Sequence, residues 1–130
     1  MKSTWLLCIA LCAPVQAASA QSSSEYSAAY DDCVEAAGPI NNAVVQVCAS
    51  RVSERAKEEI EQRYRSIHAR LRSSDPADAD KFEASQKAWL TYRNAHCALA
   101  GSHIGSPMYD YCPMTLNSAR ALELRELDGG

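Results

Sequence analysis

No stretch of this sequence is long enough to cross a bilayer. About 20 consecutive apolar residues are needed for that, and the longest such run, Trp5 to Val15, falls short. A basic excess is also missing. Thirteen Lys and Arg stand against 16 Asp and Glu, for a formal charge of −3, which argues against nucleic acid or an anionic membrane surface as a partner. There is no internal repeat, low-complexity tract or interdomain linker, and no segment reads as a strand of period two. What remains is one small domain that must be built from helices.

Chemical constellations are scarce as well. His96, Cys97, His103 and Cys112 are residue types that ligate zinc, but their spacing fits no compact zinc pattern. A Cys–His nucleophile would need a free thiolate and a third group to orient the base. The adjacent carboxylates Asp31-Asp32 and Glu58-Glu59 point in different directions on a helix, unlike the facing pair of a glycosidase. Gly101 to Gly105 lacks the lysine and the strand–loop–helix setting of a phosphate loop. The sequence therefore offers no catalytic residue and asks for no metal and no cofactor; a binding protein is the expectation.

The N-terminus reads as a secretory signal peptide over residues 1–20. Lys2 gives the positive start, Trp5 to Val15 the apolar core, and Ala18-Ser19-Ala20 a small-x-small cleavage site before Gln21. Cys8 and Cys12 invite a lipoprotein reading, but Leu7 and Leu11 occupy the place where that processing wants a small residue. The expected product is soluble, periplasmic or secreted. Loss of Lys2 with the leader leaves 12 basic residues against 16 acids, a charge of −4, over residues 21–130.

Four cysteines follow the leader: Cys33, Cys48, Cys97 and Cys112. An even number in an oxidising compartment reads as two disulfides. Three connectivities are open. Equal spacings of 15 residues favour Cys33 with Cys48 and Cys97 with Cys112, each bridge contributing about 3 kcal/mol on a chain-entropy argument.

Four helices are predicted. The first covers Tyr26 to Ala37, with Tyr26, Tyr30, Cys33 and Ala37 on one face, and Gly38-Pro39 stops it. The second, capped by Asn41 or Asn42, runs to about Arg72. Its stripe Val45, Cys48, Val52, Ala56, Ile60, Tyr64, Ile67, Leu71 covers 26 residues in seven steps, a helical mean of 3.7. Its other faces, with Arg51, Arg55, Glu58, Glu59, Arg63, Arg65 and Arg70, read as solvated and locally paired. Asp75-Pro76 caps and opens a third helix, with Phe82, Gln86, Trp89, Tyr92, His96 and Leu99 as its stripe and an end near Gly101. Residues 101–113, rich in Gly and Pro, are expected to be irregular. A last helix should start at Thr115 or Asn117, with Leu116, Ala119, Leu122, Leu124 and Leu127 as apolar contributors. The fold class expected is all-α: a small antiparallel bundle of two long and two short helices, stapled by two disulfides.

Gln86-x-x-Trp89-x-x-Tyr92-Arg93-x-x-x-Cys97, with Tyr30-Asp31-Asp32-Cys33, Cys48, Ile60-x-x-x-Tyr64, Cys112 and Leu116-x-x-x-Arg120-Ala121-x-x-Leu124, resembles the LprI-like lysozyme inhibitor family of exported bacterial proteins. Departures are Glu61 where asparagine is usual, Asn94 where aspartate is common, and Asn117 where threonine usually opens the last helix. The resemblance implies a domain spanning residues 21–130 in which Gln86, Trp89, Tyr92, Arg93 and Arg120 are mostly structural. It implies lysozyme, a basic protein with two catalytic carboxyls in its cleft, as the partner. Ser102 to Tyr109 is the candidate inhibitory segment, with Ser102, Ser106 and His103 as polar contacts and Tyr109 as an aromatic anchor. The alternative is a cell-envelope interaction module that uses the same surface without inhibiting lysozyme.

Overall fold

The computed structural model describes residues 24–129, so the predicted signal peptide and its cleavage site lie outside the described residues. Four helices fill nearly all of this span: α1 (Glu25–Ala37), α2 (Asn42–Ser74), α3 (Pro76–His103) and α4 (Met108–Asp128). The all-α bundle and both disulfides agree with the sequence reading. Cys33 is bonded to Cys48 and Cys97 to Cys112, with Cα–Cα separations of 5.7 and 5.4 Å.

The caps explain the boundaries. Asn41 Oδ1 accepts from the amides of Ala43 (2.9 Å) and Val44 (3.1 Å), satisfying two of the donors a helix start leaves free. Asp75 serves two helices. Its amide donates to Leu71 O at 2.7 Å, closing α2, and its Oδ1 accepts from Ala77 and Asp78, opening α3. Pro76, at the first helical position, has no amide to satisfy. One residue thus turns the chain between its two longest helices.

Three predicted features need correction. The irregular stretch 101–113 shrinks to a corner of four residues, 104–107, because α3 continues to His103 and α4 starts at Met108. Pro107 has φ −58°, already helical, so it starts α4 rather than blocking it. Pro113 lies inside α4 and costs that helix one early hydrogen bond. Neither Thr115 nor Asn117 is a cap; Asn117 is buried in mid-helix, and α4, with 21 residues, is not short. The stripe expected on α3 is right at Phe82 and Gln86, but Tyr92 and Leu99 are more than half exposed and His96 is exposed. The buried face there passes instead through Cys97, Ala100 and Gly101.

α2 and α4 form the most extensive interface, and they run parallel: Ser50 meets Asp110 near their starts, and Ser66 meets Asp128 near their ends. Ala49, Ala56 and Ala121 are fully buried in the main core, where small side chains permit close approach of the two backbones. Val52, Ile60, Ile67, Phe82, Met114 and Leu124 fill the rest. α1 and α3 each pack antiparallel to α2, α1 pinned by Tyr26 and the first disulfide. A second small cluster, Cys97, Ala100 and Cys112 with Met108 and Leu116, packs beneath the α3–α4 corner.

Candidate functional site

Both disulfides lie toward the same end of the bundle, where the α1–α2 and α3–α4 connections meet. Asn42 Nδ2 donates to Ser106 Oγ at 3.4 Å and links them. The α3–α4 corner is Ile104, Gly105, Ser106 and Pro107. Its turn is made by the amides of Met108 and Tyr109 donating back to Gly105 O (3.0 Å) and Ser106 O (3.1 Å). Gly105 has φ +146°, a conformation that side-chain-bearing residues rarely adopt, so the sharp reversal depends on glycine there.

The predicted contact residues fall on this corner, though most of them are helical. Ser102 and His103 are exposed in the last turn of α3, Ser106 is exposed in the corner, and Tyr109 is about half exposed in the first turn of α4. The structure brings two of them together: Ser102 Oγ and Tyr109 Oη are 3.3 Å apart. The Tyr109 ring lies against the backbone of Gly101, where a Cβ would stand 2.3 Å from its Cε1. Glycine in this helix therefore admits the ring. No side-chain hydrogen bond joins His103 to the other three. Sequence reasoning missed Ile104, 74% exposed at the tip, and Ile40 on the neighbouring connection, 67% exposed. Both are isolated apolar residues in polar surroundings, a pattern without a sequence period to mark it.

The signature residues form a separate cluster between α3 and α4. The guanidinium groups of Arg93 and Arg120 lie 5.2 and 5.7 Å from the Trp89 ring centroid. Arg120 Nε and Nη2 both donate to the Gln86 side-chain oxygen, at 3.1 and 2.9 Å. Arg93 Nη1 donates to Asn117 Oδ1 at 2.9 Å, and Asn117 Nδ2 donates in turn to Ser53 Oγ at 2.8 Å. The partners of Arg93 are thus neutral amides. Tyr92 stands apart, stacked on His96 at 5.4 Å.

A third cluster contradicts the solvated reading of one α2 face. Glu59 accepts from Arg125 Nε and Nη2, both at 2.7 Å, and from the buried Tyr26 hydroxyl. The Arg125 bonds, helped by Tyr26 and Arg63, hold the Glu59 carboxyl down at about 2. Burial, with the Glu59 charge beside it, pushes the Tyr26 phenol well above its ordinary value. The network is structural, joining α1, α2 and α4.

Among the described residues no group of three or more His, Cys, Asp or Glu side chains is placed to hold a metal ion, and no helix is long and apolar enough to cross a membrane. The corner can offer hydroxyls, an imidazole and apolar tips to a concave partner. In comparison with known proteins, a family model described as lysozyme inhibitor LprI aligns with residues 33–124. No curated protein and no solved structure matches the chain.

Proposed function

The chain belongs to the LprI lysozyme inhibitor family, and from that premise we propose that it is a non-catalytic inhibitor that binds lysozyme and blocks its substrate cleft with the α3–α4 corner. It acts outside the cytoplasm, periplasmic or secreted, after cleavage of the leader near Ala20. Two disulfides suit an oxidising compartment.

The observation that carries the reading is the build of the corner. It is four residues long, backed by the Cys97–Cys112 bridge and tipped by exposed Ile104, with Ser102, Ser106, His103 and Tyr109 around it. A stiff projection loses little entropy on docking. Its apolar tip can fill a pocket, while Ser106 and His103 offer hydrogen bonds to cleft carboxyls. The acidic chain is also drawn to a basic enzyme, an effect that speeds encounter more than it adds affinity.

The test is titration of the oxidised protein into lysozyme digesting cell walls, at two salt concentrations. Inhibition at micromolar protein that weakens with salt is expected. The double variant S106A/Y109A should lose it with helical circular dichroism unchanged. Undiminished inhibition by that variant moves the site off the corner. No inhibition at high micromolar wild-type protein leaves an envelope-binding module, and release of wall fragments by the protein alone would indicate an enzyme.

A further inference from the structure

Among the described residues, Arg93 is the one partly buried arginine with no carboxylate partner. Arg63, Arg120 and Arg125 each pair with a glutamate. Arg93 is half-buried, and burial draws its pKa down, as expected for a cation deprived of both water and counter-charge. Its Nε and Nη2 both donate to Asn94 Oδ1, at 3.1 and 2.8 Å. A single neutral amide oxygen thus takes the guanidinium edge that can receive both oxygens of a carboxylate. With Nη1 given to Asn117, two of the five N–H groups remain, one on each terminal nitrogen.

Arg93 borders a groove of about 390 Å³ between α2, α3 and the start of α4, within the usual size range of small-molecule sites. Ser50, Ser53, Asn94 and Asn117 supply hydroxyl and amide lining, and Tyr109 closes one side. Two acids also line it: Glu54 pairs with Lys57 at 2.7 Å, and Asp110 accepts from the Ser50 hydroxyl at 3.1 Å. Of the four charged groups lining it, Arg93 and Asp110 meet only neutral partners, the first open to an acid and the second to a hydroxyl donor. Arg93 and Lys57 also border a neighbouring groove whose walls, Ile60, Tyr64, Trp89 and Leu90, are apolar.

We propose that the polar groove is a binding site for a small hydroxylated carboxylic acid, such as a single acidic sugar, whose carboxylate is received by Arg93. The ligand's acid supplies the missing counter-charge, and its hydroxyl and amide groups replace water on the serine and asparagine side chains. The site shares Tyr109 with the proposed lysozyme surface but is centred on Arg93, and small-acid binding is read without lysozyme, so the two proposals fail separately.

Calorimetric titration of the oxidised protein tests it, followed in parallel by the indole N–H signal of Trp89, which the Arg93 guanidinium overlies. The probes are N-acetylmuramic acid, D-gluconate, N-acetylglucosamine and octanoate. N-acetylmuramic acid should bind at least about tenfold more tightly than N-acetylglucosamine, the same sugar without the acid, since a charge-assisted pair is among the stronger hydrogen bonds. Gluconate should compete with it. Asn94→Asp places a carboxylate on Arg93 within the chain, so it should weaken acid binding at least about tenfold while the melting temperature holds or rises. Equal affinity for the acidic and neutral sugars, unchanged binding by Asn94→Asp, or no heat with either acid at tens of millimolar overturns the proposal. Octanoate binding more tightly than gluconate also overturns it, because the apolar groove would then be the site.

Discussion

Glu59 joins three helices through one carboxylate. Its pKa is depressed to about 2 from an ordinary 4.5, so the folded state holds the charged form and the unfolded chain takes up the proton first. The stability it contributes is complete above about pH 4.5 and is lost as pH falls toward 2. Thermal melts between pH 7 and 2.5 should show that loss, on the order of 2 kcal/mol from this group. Glu59→Gln should be less stable at pH 7 and should lose this part of the acid dependence. At Gly101 the constraint is steric. Gly101→Ala should push the Tyr109 ring away and weaken lysozyme inhibition by about tenfold or more, while helical circular dichroism stays the same. Inhibition equal to wild type would show that the Tyr109 position does not matter to the partner.

Among the elements, α1 is the most dependent on its staple. It rests on α2 through Tyr26, its ion pairs and the Cys33–Cys48 bridge. Replacing both cysteines by alanine should cost about 2–4 kcal/mol. Hydrogen exchange should then speed up in residues 25–37 first, with the α2–α4 seam still protected. Loss of protection across all four helices at once would show that α1 is part of one cooperative unit. This part of the fold was legible in the sequence because cap residues and apolar steps coincide: Asn41, Asp75-Pro76, and the stripe from Cys48 to Ile67. The start of α4 was not. Gly105, Pro107 and Pro113 read as breakers, whereas the chain uses a glycine for the reversal, one proline to begin the helix and another where a single bond is lost. The second half of α3 was misread for a different reason. Leu99 and Tyr92 look like core by composition, but the Cys97–Cys112 bridge and the small residues Ala100 and Gly101 decide which face turns inward. The candidate segment falls on a tight corner that the sequence reading took for a longer irregular stretch, and Ile104 went unnoticed.

For the whole molecule, covalent bracing is concentrated where the partner surface is proposed, and noncovalent contacts hold the far end, around Ile67, Tyr64 and Phe82. Reduction should therefore abolish inhibition at a temperature where most of the helical signal survives. Circular dichroism and wall-digestion assays on one reduced sample check this; inhibition that persists in fully reduced, helical protein would separate the activity from the bridges.

The places where the described chain leaves the bundle matter in practice. Tyr26 sits beside Glu59 and Asp128 beside Ser66, so at 1.5 Å per residue the two exits stand roughly 25 and 35 Å along α2 from its start near the corner. A carrier, surface tether or label attached at either exit would trail behind the molecule and leave its leading tip free for presentation.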